Sequence, residues 1–228
     1  MMSLSGQTEI ETRRKRVLVV DDHPIVRRGI AQLIGGESDL EVCGEAQSAA
    51  EAIEFLRTAQ PDIVLVDLTL AGGGGLGLIK DIQNWYAELP ILVLSMHDES
   101  LHAERAMRAG AMGYVMKHEA TDRIVGAIRQ VLRGEIYLSE RMQEKLLHRL
   151  VGERGARQGS SPLEVLTDRE MEVFELVGRG QSTREVAGHL CLSVKTIETH
   201  IDHIKTKLGL DSGRELVRFS ATWFMEPK

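Results

Sequence analysis

The 228 residues leave room for one large domain or two small ones, and a formal net charge of −6 with 27% charged residues describes an ordinary globular chain, neither disordered nor strongly basic. No stretch approaches the ~20 apolar residues of a membrane span, and the polar residues 1–15 are expected to form a flexible tail, not a secretory leader. The two cysteines, Cys43 and Cys191, sit in separate apolar segments, which predicts buried thiols in a reducing cytoplasm and neither a disulfide nor a metal site.

From residue 16 to about residue 133, short β-branched runs alternate with amphipathic stretches, the pattern of a parallel sheet with crossover helices. Strands are predicted over 16–21, 40–45, 62–67, 90–95 and 113–116, which makes a five-stranded, doubly wound α/β domain. Ser48 and Glu51 have the spacing of a capping box at the start of the second helix, and a fourth helix that includes 103–109 is expected to end at Gly110. The first strand ends in Asp21-Asp22 and the third in Asp67. Parallel strands put both ends on one edge, where open α/β folds hold their ligands, so three carboxylates converge in one crevice. Crowded carboxylates repel one another unless a cation joins them, and an all-oxygen donor set suits Mg²⁺. The chemistry indicated is metal-assisted phosphoryl transfer onto Asp67. His23, beside the acidic pair, reads equally well as part of that chemistry or as an ordinary helix-start residue.

The run Gly72–Gly77 matches the dinucleotide pattern G-x-G-x-x-G and precedes a helix, but that fingerprint belongs after the first strand, and here the first strand ends in carboxylates that would repel a pyrophosphate. The expectation is therefore a mobile glycine turn. Residues 134–162 read as a linker that contains a helical stretch, 140–150, and ends in a Gly/Ser-rich segment, 152–162. Beyond it strand signals stop. Thr167 with Glu170, Ser182 with Glu185, and Ser212 with Glu215 mark helix starts near 168, 183 and 213, and Ser193 supplies a further N-cap. The stretches 183–190 and 194–208, joined by Cys191-Leu192-Ser193, have helix-turn-helix dimensions. In the second of them Ile197, Ile201, Ile204 and Leu208 form the inward stripe, which leaves Lys195, Thr199, Asp202, His203 and Thr206 facing out.

Residues 16–228 resemble the NarL/FixJ-type response regulators of two-component signalling, a receiver domain (16–133) followed by a LuxR-type helix-turn-helix domain (163–228). The resemblance rests on Val19-Val20-Asp21-Asp22-His23-Pro24, Asp67, Leu94-Ser95-Met96-His97-Asp98 and Gly113-Tyr114-Val115-Met116-Lys117. In the second half it rests on Leu166-Thr167-Asp168-Arg169-Glu170, the run from Leu192 to His200, and Lys207-Leu208-Gly209. It implies that Asp67 is the phosphoacceptor, that Asp21, Asp22, Asp67 and the backbone carbonyl of Thr69 hold Mg²⁺, and that Ser95 and Lys117 contact phosphoryl oxygens. It implies further that Ser95 and Tyr114 form the switch, that a cognate histidine kinase is the donor, and that the active form is a homodimer on promoter DNA.

The sequence departs from the family at three places. Ala71 stands where receivers usually have proline and is followed by four glycines, which predicts a looser loop; His118 replaces a common proline after Lys117; and Met96 is bulky beside the acceptor, predicted to restrict water. From 163 to 228 nine Lys/Arg face eleven Asp/Glu, a net of 9 − 11 = −2, so DNA binding is expected to rest on local groups. Lys195, Thr196, Lys205 and Lys207 are the candidates for phosphate contacts. The family pattern puts Glu198, Thr199 and Asp202, with His203 beside them, on the face that meets bases. A regulator that binds DNA without phosphorylation, and a helix-turn-helix used on protein, are the alternative readings.

Overall fold

The computed structural model describes residues 13–70, 74–96, 99–152 and 162–225. Residues 1–12 of the tail expected over 1–15, the loop at Ala71–Gly73, His97-Asp98 and linker residues 153–161 lie outside the described residues, while Lys15 already belongs to the first strand. In chain order the first domain runs β1 (Lys15–Val20), α1 (Pro24–Gly35), β2 (Leu40–Ala46), α2 (Ala49–Ala59), β3 (Ile63–Asp67), α3 (Gly75–Trp85), β4 (Ile91–Ser95), α4 (Glu99–Ala109), β5 (Gly113–Met116) and α5 (Ala120–Leu132). The fourth helix thus begins a turn earlier than its predicted core.

All strand pairs are parallel, in the order β2-β1-β3-β4-β5. Alternate residues of each central strand face opposite layers. Leu18, Val20, Val64 and Val66 pack with Leu56, Ile79 and Ala106 on one side. Val17, Val19, Ile63 and Leu65 pack with Ile34, Ile124 and Ile128 on the other. Strand β3 is buried along its whole length, which is why it reads as an unbroken apolar run, and each such side chain is worth about 1.5–3 kcal/mol relative to exposure. Register then sets the level at which the strands end: Val20 pairs with Val66, Asp67 with Leu94, and Ser95 with Met116. Asp21, Asp67, Ser95 and Lys117 therefore emerge within two residues of the same height.

The chain does not leave this domain at residue 133. Tyr137 makes a parallel bridge to Gly113, its carbonyl accepts from Tyr114 N at 2.9 Å, and its own N–H donates to Met112 O at 3.0 Å. Helix α6 (Glu140–Gly152) follows, with Leu138 and Met142 buried in the same cluster as Ala103 and Tyr114. Glu99 accepts from both Ser139 N, at 3.0 Å, and the Ser139 hydroxyl, which ties the start of α4 to the start of α6.

After a short 3₁₀ turn (Pro162–Val165), α7 (Asp168–Gly178), α8 (Thr183–His189), α9 (Val194–Leu208) and α10 (Gly213–Met225) pack around Phe174, Val186, Ile197, Ile204 and Leu216. Thr167/Glu170 and Ser182/Glu185 are complete reciprocal capping boxes. The other two are half-boxes. The Ser48 and Ser212 hydroxyls accept from Glu51 N and Glu215 N, but the glutamates reach one residue further back, to Gln47 N and Asp211 N, and satisfy a different orphan donor. Cys191 is exposed, not buried as expected, because it occupies the turn between α8 and α9 with left-handed φ of 52°. Cys43 is half-buried, and burial raises its thiol pKa.

A methyl group on Gly75 would lie 2.4 Å from the Asp67 carbonyl oxygen and 2.5 Å from Leu68 Cα. Backbone cannot yield as a flexible side chain can, so Gly75→Ala should cost about 1–3 kcal/mol in urea unfolding. An unchanged midpoint would show that α3 is not packed this tightly on the end of β3.

Candidate functional site at the carboxyl edge of the sheet

Asp21 and Asp67 are each 1% exposed, and the Lys117 side chain is 4% exposed. Lys117 Nζ lies 2.6 Å from Asp67 Oδ2 and 2.8 Å from Asp21 Oδ2, so one ammonium bridges two buried carboxylates. Thr69 N donates to Asp67 Oδ1 at 3.1 Å and His23 N to Asp21 Oδ1 at 2.8 Å. Arg27 donates through Nη1 to the Asp21 carbonyl and reaches Glu45 with Nε, which braces the loop after β1 from outside. Burial is the strongest influence on Asp67 and raises its pKa; Lys117 pulls down against it, Asp21 pushes up, and the net is a carboxyl above its ordinary range.

The donor set fits a hard divalent cation. Asp21, Asp22, His23 and Asp67 each present one ligand atom, all within 4.8 Å of one another. Among the described residues Asp21 Oδ2 and Asp22 Oδ1 are buried oxygens that accept no hydrogen bond, and they face Lys117 Nζ at 2.8 Å and His23 Nδ1 at 2.7 Å respectively. Ser95 is fully buried at the end of β4, and its carbonyl accepts from Lys117 N at 2.8 Å, which locks the ends of β4 and β5 together. Tyr114, 2% exposed, is turned into the core among Ala103, Ala106 and Met142. Met96, by contrast, is 63% exposed at the rim. His118 is exposed and lies 3.9 Å from Glu119.

In the second domain, Lys195, Glu198, Thr199, Asp202 and His203 are exposed along α9, with Thr196 half-buried at its start. Not all are equally available. Lys205 Nζ is 2.8 Å from Asp202, and Thr196 Oγ1 shares a 2.7 Å hydrogen bond with Ser193 Oγ. His203 stands 3.9 Å from Glu170, on the flank of α9 that faces the start of α7. Lys207 ion-pairs with Glu170 at 2.6 Å and so holds α9 to α7.

Sequence reasoning did not find the contact between the two domains. Arg105 on α4 donates to Leu163 O at 2.9 Å, Leu166 O at 2.8 Å and Asp168 Oδ1 at 3.1 Å. Lys80 on α3 reaches the other Asp168 oxygen at 2.7 Å. Burial raises the Asp168 pKa, but Lys80 and Arg105 outweigh it and hold the carboxyl below its usual range. Beside them the buried His102 imidazole meets the buried Glu175 carboxylate. The cleft they frame is also lined by Leu68, Thr69 and Leu70, the residues that follow Asp67. No local pattern marks these partners, because they are 58 to 88 residues apart in the chain.

Residues 17–129 match the family described as "Response regulator receiver domain", and residues 164–220 match "Bacterial regulatory proteins, luxR family". The oxygen regulatory protein NreC of Staphylococcus carnosus is 33% identical over 208 residues, which cover 90% of this chain and 96% of that protein. The RcsB response regulator of Salmonella typhimurium superposes with a TM-score of 0.66 at 25% identity, covering 92% of this chain and 98% of that one. RcsB from Salmonella enterica serovar Typhimurium, bound to promoter P1flhDC in the presence of the phosphomimetic BeF3-, has a TM-score of 0.65 at 25% identity, covering 92% of this chain and 100% of that one.

Two outcomes follow from the geometry. Lys117→Met removes a cation that lowers the Asp67 pKa, so the value should rise further, as read from carboxyl ¹³C shifts against pH; a fall would show that Lys117 is not its dominant counter-charge. Arg105→Ala removes one carboxylate contact and two carbonyl contacts between the domains. It should enlarge the radius of gyration in X-ray scattering, whereas an unchanged value would mean that Lys80 and His102 suffice.

Proposed function

This chain belongs to the two-component response regulators that join a receiver domain to a LuxR-type DNA-binding domain, and from that premise we propose that it is a transcription regulator switched by a phosphoryl group on Asp67. The observation that carries this reading is the buried triad of Asp21, Asp67 and Lys117 at one edge of the sheet. An Asp67 oxygen attacks the phosphorus of a phosphohistidine on a partner kinase; the new P–O bond forms as the P–N bond breaks, and the imidazole leaves with the electron pair. Asp21, Asp22, Asp67 and the Thr69 carbonyl are the groups that would hold Mg²⁺, whose chemistry here is to neutralise charge on the transferring phosphoryl group. Lys117 already faces the acceptor oxygen and is placed to follow charge onto the phosphoryl oxygens. The Ser95 hydroxyl is the neutral donor, and its movement, with Tyr114 held inward, is the step that biases the inactive–active equilibrium.

In this reading the receiver spans 16–133, the linker 134–162, whose first part through Met142 packs onto the receiver, and the DNA-binding domain 163–228. The active form is a homodimer whose paired α9 helices enter successive major grooves of promoter DNA. Lys195 and Thr196 contact phosphates, joined by Lys205 once Asp202 releases it, while Glu198, Thr199 and Asp202, with His203 at the flank, face the bases. The chain acts on no substrate but its own phosphoryl group, and it works in the cytoplasm. Among the described residues no helix is long and apolar enough to cross a membrane.

Incubation with a small acyl phosphate and Mg²⁺ should add one phosphoryl group by intact mass, and Asp67→Asn should abolish the gain. A gain that survives Asp67→Asn, or no gain in a folded sample that binds Mg²⁺, would refute the assignment. On DNA, Lys195→Ala should weaken binding across sequences alike and reduce the slope of log affinity against log salt by about one. An unchanged slope would remove Lys195 from the phosphate contacts.

A further inference from the structure

Ile197 and Ile204 turn α9 inward and are fully buried, which leaves Glu198, Thr199 and Asp202 together on its exposed side. Glu198 and Asp202 stand at i and i+4, so their carboxylates share one face, about 6 Å apart along the helix axis. None of the three side chains has a proton to give. The Thr199 hydroxyl donates to the Lys195 carbonyl at 3.0 Å, which leaves only its oxygen and its methyl group for a partner outside the helix. The Asp202 side chain is 70% exposed and rests against Lys205 Nζ at 2.8 Å. Lys205 foremost, then Lys195 and His203, hold the Asp202 carboxyl below its usual range, so it is ionised and purely an acceptor at neutral pH. An exposed ion pair of this kind is weak, and Asp202 exchanges Lys205 for another donor at little cost.

Each base shows a fixed pattern in the major groove. Guanine and thymine present acceptors, adenine an amino donor beside the N7 acceptor, and cytosine an amino donor with no acceptor next to it. A carboxylate against guanine or thymine sets lone pair against lone pair, and against adenine its second oxygen is pushed away by N7. Cytosine satisfies it without that penalty. We infer that Glu198 and Asp202 make α9 a reader of cytosine amino groups, two in each half-site. For a helix lying along the groove, the separation of the two carboxylates spans roughly two base-pair steps of ~3.4 Å, which sets the spacing of the two cytosines. The inference rests on the DNA-binding role given to α9 above and names the class of sequence that this role selects. When Asp202 turns to a base, Lys205 is freed for a phosphate, so one ion pair links base readout to backbone grip.

The test selects duplexes from a randomised pool with the full chain, treated with acyl phosphate and Mg²⁺, and repeats the selection with Glu198→Gln and with Asp202→Asn. The natural chain should enrich cytosine at two positions of each half-site. Each substitution should change the base chosen at one of them to adenine, because a carboxamide pairs with adenine N6 and N7 together. N4-methylcytosine still pairs with guanine but carries a methyl group where the amino hydrogen faced the groove, and at either position it should weaken binding of the natural chain about tenfold. If both substitutions instead tighten binding to all sequences alike and leave the base choice unchanged, the carboxylates act only by repelling phosphate and the inference falls. Enrichment of guanine or thymine at the positions that the substitutions alter would overturn it as well. Either result leaves duplex binding, and hence the proposed function, intact, whereas a folded, phosphorylated chain that binds no duplex would overturn the two together.

Discussion

Two buried carboxylates, with a third beside them, share one ammonium at the edge of this sheet, and much of the receiver is arranged around that arrangement. Removing a charge from water costs several kcal/mol, and Lys117, shared between Asp21 and Asp67, offsets only part of it. Asp67 is left with a raised pKa, although Lys117 and the Thr69 N–H both reach its oxygens. The strand register, the brace of Arg27 on the Asp21 carbonyl and the close seat of Gly75 against the Asp67 carbonyl all keep these groups in place despite their repulsion.

The same edge reaches outward in two directions. Leu68, Thr69 and Leu70 continue from Asp67 into the cleft where α7 meets α3 and α4, beside the grip of Arg105 and Lys80 on Asp168. Tyr114 continues from β5 beneath α4 and α6, and its backbone is bonded to Tyr137. The C-terminal domain docks through α7 and the turn before it, which leaves the exposed side of α9 uncovered at Glu198, Thr199 and Asp202. Docking on this geometry restrains where α9 can point without covering the residues that face outward.

Where the sequence was legible, the reason was local or periodic. Apolar runs of strand length, hydroxyl N-caps and the glycine at the end of α4 each depend on a few neighbouring residues, and the elements formed within a residue or a turn of expectation. The capping boxes at Ser48 and Ser212 departed in detail because a glutamate can reach either of two adjacent orphan N–H groups, which spacing alone does not separate. Cys191 departed because its apolar neighbours Leu190 and Leu192 turn inward while the left-handed turn holds it out. The attachment of Tyr137, Leu138 and Met142 to the first domain was hidden for another reason. Its helix is amphipathic in the ordinary way, and nothing in the pattern says which surface its apolar side will meet.

The sequence by itself determined the parallel sheet, the pair of helices in the second half and the convergence of Asp21, Asp22 and Asp67, because parallel strands that end in carboxylates put them on one edge whatever the surroundings. Tertiary structure alone decided how those groups share their charge: that Lys117 bridges two of them, that His23 turns inward and not to its own helix, and that Arg105, His102 and Lys80 bind the second domain. These pairings join residues far apart in the chain, and their energy depends on distance and burial, which exist only once the chain is packed.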